Sequence, residues 1–464
     1  MNRLKSFRSA NSVTGRYNFR PIVIIGVALS FMLTTCTKEP EDNFEKLKIV
    51  WNKNFGGSEV DVFYSVAAVS DGTVAVGYSE HSSFGGGDWA GVTGKGLRDA
   101  AIVKYDHNGN LAWKKNFGGS DNDYFHSVTA VPGGVAAVGY LSSDSYFAQP
   151  TDDAYAVKFD NSGNIVWEKK FGGKGNSADY FQAVTAVSDG IVVVGYSGVW
   201  SFGTGDWQGV EKKSSKTGGV ADYDATIVKF DNNGNVVWKD SFGGDADDRF
   251  VAVTAVADGV VAAGYSKAGS FKTGSFKNTE GKGDEDAFIV KYSNSGAVMW
   301  IKNFGGKDDD GFHSIIALPD GLVAAGYAYS DSFGNGDWAD VAAATPTRPV
   351  IVKFDNSGNV VWKKNFLGYT HELKALTPVT GGFVTTFSVQ NESDVCAIKF
   401  DAGGNEQWNT RLGGAGHETI VAMTVVDDCF VAVGVARDGA FNTGIWKGIQ
   451  GKGSADAIII KFKN

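Results

Sequence analysis

From Lys48 onward the apolar residues come in short runs rich in Val, Ile, Ala, Phe and Tyr, and the runs are separated by Gly, Asn and Asp. That alternation predicts short β-strands joined by tight turns. In one stretch the runs are Phe125–Val131, Val135–Leu141, Ala154–Phe159 and Asn164–Lys170, here called strands a, b, c and d. Pro132-Gly133-Gly134 joins a to b, and Asp160-Asn161-Ser162-Gly163-Asn164 joins c to d. Gly supplies the positive φ that such turns need, and Asx side chains bond their own backbone. A four-stranded antiparallel sheet is the natural unit. No helical periodicity appears, and the chain carries 62 glycines against 8 prolines.

The unit repeats. Its fullest form is Asp-Ala-x-Ile-Val-Lys-Phe-Asp-Asn-x-Gly-Asn-Val-Val-Trp-Lys-Lys-x-Phe-Gly-Gly, and its tryptophans are Trp51, Trp113, Trp167, Trp238, Trp300, Trp362 and Trp408. One such sheet cannot bury both faces, whereas seven in a ring can. The first repeat-like run, Lys48–Asn54, is a lone strand d, and the last, Ala455–Lys463, is a strand c with no d after it. Their pairing would close the ring and remove open edges. The fold expected is therefore all-β: a seven-bladed β-propeller over residues 48–464, closed by its own N-terminal strand. The seven strand-d tryptophans are expected to pack between blades. The acid that opens strand a in five copies (Asp61, Asp123, Asp179, Asp248, Asp310) is expected to cap a turn.

The phrase, best seen in Asp153–Gly173, Asp224–Gly244 and Asp286–Gly306, resembles the bacterial SBBP-type β-propeller repeat. The resemblance covers roughly Lys48 to the C-terminus and implies the same fold. It implies little about function, since such repeats occur in many uncharacterised cell-surface proteins. The sixth copy departs most, with Phe366-Leu367-Gly368 for Phe-Gly-Gly, and the seventh has Cys429 at the turn Gly.

Residues 1–35 read differently. Five basic residues (Arg3, Lys5, Arg8, Arg16, Arg20) and no acid precede the apolar stretch Pro21–Leu33, which is too short to span a bilayer and suits a secretory signal. Leu33-Thr34-Thr35-Cys36 resembles a bacterial lipobox, with Thr35 an unusual residue at its place, and implies cleavage before a lipidated Cys36. Thr37-Lys38-Glu39-Pro40-Glu41-Asp42 resembles the signal that sends Bacteroidota lipoproteins to the cell surface; an ordinary acidic tether over residues 36–47 is the alternative. Loss of the five basic residues takes the formal charge from −9 to −14, which argues against a nucleic-acid partner. Membrane attachment is expected through Cys36 alone, at the outer membrane, and a monomer is expected. Cys396 and Cys429 are placed on one blade, as buried thiols or as a disulfide that an exported compartment permits.

Residues repeated in every copy serve the scaffold; residues found once are freer to serve a ligand. The long segments join b to c, and in an antiparallel blade they share one face with the d-to-a connectors. Three of them carry Ser-Phe-Gly-x-Gly-Asp-Trp, ending at Asp88-Trp89, Asp206-Trp207 and Asp337-Trp338; a fourth ends at Trp446, and Trp200 occurs once. An aromatic beside a carboxylate suits a sugar or a peptide, so these residues are candidates for a binding rim; a small local loop core is the competing reading. His126 and His313 share a repeat position and read as packing or pore-lining residues. His371-Glu372 and His417-Glu418 are the pairings with any acid–base or metal potential. The Asp-x-x-Gly-Asn turns lack the ligand run of a calcium loop, and no zinc, phosphate-loop or nucleophile motif is present. No cofactor and no metal are expected. The reading is a surface lipoprotein that binds a glycan or a protein without chemistry, with a polysaccharide-acting enzyme at the pore and a structural envelope component as alternatives.

Overall fold

The computed structural model describes residues 48–142, 152–174, 177–215, 222–342, 348–366, 369–370, 373, 375–389, 395–437 and 439–463. Cys36, the signal and the tether lie outside them. The described chain forms seven antiparallel sheets. Blade one is Asp61–Val69, Gly72–Glu80, Arg98–Asp106 and Leu111–Phe117; blade three is Asp179–Val187, Gly190–Gly198, Tyr223–Asp231 and Val236–Phe242. The strands a of successive blades abut one another all the way round, so they form the inner wall of a closed seven-bladed propeller. Closure is as the sequence implies: Lys48–Phe55 pairs antiparallel with Ala455–Lys463, from Lys48↔Lys463 to Phe55↔Ala457, with a register shift between Ile49 and Trp51.

Each repeated residue has a visible task. Burial of the Val, Ile, Ala and Phe faces between neighbouring blades supplies the core. On the outer side, the strand-d indole of one blade reaches the c–d turn of the next. Trp51, Trp113, Trp167 and Trp238 donate their Nε1–H to the carbonyls of His107, Asn161, Asn232 and Asn294, each at 3.1 Å. Gly109 lies against the face of Trp51 with φ +78°, and a Cβ there would come within 2.7 Å of the ring. The strand-c lysine is buried and clamps the a–b turn: Lys104 to Asp71 at 2.7 Å, Lys229 to Asp189 at 2.8 Å, Lys353 to Asp320 at 2.5 Å. The aspartate that ends strand c folds the c–d turn, as Asp160 Oδ1 accepts from the amides of Ser162 and Asn164. Those oxygens are thus spent on backbone amides.

Blade six departs, as its sequence does. Its inner strand is broken into Tyr369–Thr370 and Leu376–Val379, both paired with Gly382–Val389. One placement needs correction. Cys396 lies on strand c of blade six and Cys429 on strand b of blade seven, in different sheets, and both side chains are buried with no disulfide between them.

Candidate functional site

The long b–c loops and the d–a connectors share one face, and there the repeated acid of strand a organises the packing. In blade one, Asp61 Oδ2 accepts from the Gly57 amide at 2.9 Å and from Ser83 Oγ at 2.9 Å. Its Oδ1 accepts from Trp89 Nε1 at 3.1 Å. Blade three repeats this with Asp179, Gly173, Ser201 and Trp207, and blade five with Asp310, Gly306, Ser332 and Trp338. In blade seven Glu418 replaces the aspartate and accepts from Trp446 Nε1 at 3.1 Å. Blade four has Phe276 for the indole, and Asp248 is held by Ser266, Ser270 and the Gly244 amide. Removal from water is the main influence on these carboxyls. It lifts Asp61 and Asp179 to about 6 and Asp123 and Asp310 to about 7, against the hydrogen bonds that favour the charged form.

This geometry corrects the expected aromatic rim. Trp89, Trp207, Trp338 and Trp446 are all 0% exposed. Each fills its own loop beside a phenylalanine, as Trp207 does at 5.4 Å from Phe202 and 4.8 Å from Phe171. The physical reason is the buried acid beneath them, which needs the indole N–H as a donor. The neighbouring aspartates are engaged too. Asp88, Asp206 and Asp337 make reciprocal bonds with the Gly-Gly connector: the Asp amide donates to the carbonyl of Gly56, Gly172 or Gly305, and the carboxylate accepts from that glycine's amide. Asp88 also meets Lys452 of blade seven at 2.5 Å, and Asp337 meets Lys282 of blade four. Trp200 alone of the five indoles is open, at 50% exposure, with Lys212 Nζ 5.7 Å from its ring centre.

What sequence reading missed is a belt of tyrosines at the pore mouth on the same face. Near its end strand b carries Gly-Tyr in five blades, giving Tyr78, Tyr140, Tyr196, Tyr265 and Tyr327. Each register partner at the start of strand a varies: Val62, Tyr124, Tyr180, Arg249 and Gly311. Rings meet across the seams between blades, Tyr78 with Tyr124 at 5.0 Å and Tyr140 with Tyr180 at 4.8 Å. Arg249 lies over Tyr196 at 4.6 Å and Tyr223 at 5.0 Å, and Arg98 over Tyr78 at 5.2 Å. Burial pushes Tyr64, Tyr140 and Tyr180 well up and Tyr196 to about 12, so these phenols stay protonated donors.

Below the belt, strand a carries a bulge in which Tyr64, His126, Gln182 and His313 sit. His126 Nδ1 lies 3.0 Å from Gln182 Oε1 of the next blade, and burial drives the imidazole down to about 4, neutral at pH 7. His417 is exposed, and His371-Glu372 falls outside the described residues. Among the described residues no group of three or more His, Cys, Asp or Glu is placed to hold a metal ion. On the opposite, short-turn face a cavity of about 840 Å³ opens between blades four and five, lined largely by Ala, Val and Leu, with Asp258 and Lys291 at its wall.

No family model matches the chain, and no curated protein matches it. Solved structures with a similar course are the WD40 β-propeller domain of Doa1 (10% identity, TM-score 0.47, covering 90% of this chain and 97% of that one) and the Dos1 propeller (10%, 0.45, 90% and 96%). The β-propeller domain of Myceliophteria thermophila Cps50 (Swd1) is another (11%, 0.45, 90% and 99%).

Proposed function

We propose that this chain is a lipid-anchored, surface-exposed propeller that binds a glycan or protein partner at its loop-bearing face, centred on the pore mouth, and performs no chemistry itself. The tyrosine belt is the observation that carries the reading. Five blades contribute phenols at one end of the ring, those of Tyr140, Tyr196 and Tyr265 half-buried and those of Tyr78 and Tyr327 buried, with carboxylates and guanidinium groups alongside, and rigid aromatic surface with polar tips suits recognition at low entropic cost. Trp200, exposed on the same face, is retained as a contact. Attachment through Cys36, with the acidic segment that follows it as an export signal, accounts for the leader and tether.

A glycan and surface-protein array probed with the full chain in nonionic detergent tests the binding reading. Hits that weaken on Tyr180→Phe or Trp200→Ala support it. Hits indifferent to every loop-face substitution move the site to the short-turn face. For the anchor, Cys36→Ser is expected to abolish labelling by a fatty-acid probe and to release or leave unprocessed the membrane-bound protein. Unchanged labelling and fractionation contradict it.

A further inference from the structure

Three consecutive seams of the belt show one chemistry with one difference. Between blades one and two, Arg98 lies over Tyr78, donates to Tyr124 Oη at 2.7 Å and is clasped by Glu80 Oε1 at 2.9 and 3.1 Å. Between blades three and four, the Arg249 guanidinium lies over Tyr196, Tyr223 and Tyr265, with Asp247 at 3.5 Å. Both seams therefore seat a guanidinium among tyrosines beside a carboxylate. The middle seam, between blades two and three, has the same tyrosine pair in Tyr140 and Tyr180. At the register place of Arg98, however, it has Asp152: Glu80 pairs with Arg98 in blade one and Ser142 with Asp152 in blade two. The charge is reversed. Asp152 Oδ2 accepts from Tyr180 Oη at 2.5 Å and Oδ1 from Ser142 Oγ, and among the described residues no cation pairs with it. His126 beneath is neutral and adds no positive charge.

We infer that the seam between blades two and three is a cation subsite, built from Tyr140, Tyr180 and Asp152, that takes an arginine or lysine side chain of a protein partner in the place its two neighbours fill from within. Tyrosine faces attract a cation through the ring quadrupole, and the carboxylate fixes its direction. The inference rests on the loop-face reading and gives its partner a chemical class, a basic peptide segment.

The test uses a fluorescent octa-arginine peptide titrated against the full chain in nonionic detergent. Asp152→Asn is expected to weaken binding by about ten-fold or more, the effect of losing one side of a desolvated ion pair. Glu59→Gln, which removes the same charge from an exposed site, should leave it within about two-fold, as surface charges do. Asp152→Arg copies blade one and should abolish binding while the melting temperature holds. Equal losses in Asp152→Asn and Glu59→Gln would show attraction by net charge alone and overturn the subsite, as would absent binding or binding that survives Asp152→Arg. If Asp152→Arg leaves intact the capture of an array hit that depends on Trp200, the cation subsite falls and loop-face recognition stands.

Discussion

Two aromatic populations share the loop-bearing face, and they differ in almost everything but location. The loop indoles are fully buried, repeat at a fixed distance from a buried acid, and serve the loop that carries them. The seam tyrosines are mostly half-buried, and their partners change from blade to blade: Val62, Tyr124, Tyr180, Arg249, Gly311. In a protein of internal copies, constancy marks what each copy needs to fold, and variation marks where the ring is free to become specific.

The largest expected effect is on the buried population. Trp207→Ala removes a fully buried indole and should cost about 3–5 kcal/mol in chemical denaturation, as large-to-small core changes do. A loss below about 0.5 kcal/mol, typical of surface sites, would make Trp207 a surface residue after all. Trp207→Phe sharpens the contrast, because blade four already carries Phe276 at this place. The ring volume is largely kept, and Asp179 Oδ1 loses the indole donor that lies at 2.8 Å. About 1–3 kcal/mol is expected for a buried polar atom left short of a partner.

The buried acids give a pH signature. Their folded pKa values, about 6 for Asp61 and Asp179 and about 7 for Asp123 and Asp310, lie above the unfolded 3.8. Between those limits the folded state binds more protons, so stability rises as pH falls. The exposed turn carboxylates Asp106, Asp160, Asp231, Asp355 and Asp401 are held below 3.8 by the amides of their own turns and act oppositely, losing their contribution only below that value. The melting temperature should therefore climb from pH 8 to pH 5 and turn over below about pH 4. Asp123→Asn should flatten the climb; a melting temperature that falls steadily from pH 8 to pH 5 contradicts the assignment. The smallest effect is expected at Trp200→Ala, within about 0.5 kcal/mol, since the ring is half exposed.

The fold was legible because repetition fixes it. The turn chemistry, the seven copies of strands c and d, and the unpaired first and last runs left one way to close the ring. The fate of the loop indoles was not legible from composition, since Gly-Asp-Trp reads alike whether its ring faces water or a buried acid. A signal was present in the spacing. Asp61 and Trp89, Asp179 and Trp207, Asp310 and Trp338, and Glu418 and Trp446 are each 28 residues apart. The strand-a acid and the loop serine are each 22 apart in blades one, three, four and five. Equal separations across loops of unequal length tie both ends to one contact. The tyrosine belt was harder to see, because its rings come from strands a, b and c of different blades and meet only when the ring closes. Cys396 and Cys429 belong to neighbouring blades, because the boundary between blades six and seven falls between the strands Glu406–Leu412 and Glu418–Val426.

The most direct test of the division between the two populations is a paired measurement on Trp207→Phe and Asp152→Arg, recording the melting temperature and the octa-arginine affinity of each. The account predicts that Trp207→Phe lowers the melting temperature and keeps the affinity, and that Asp152→Arg keeps the melting temperature and loses the affinity. The reverse assignment, with binding lost at Trp207 and stability lost at Asp152, would contradict it.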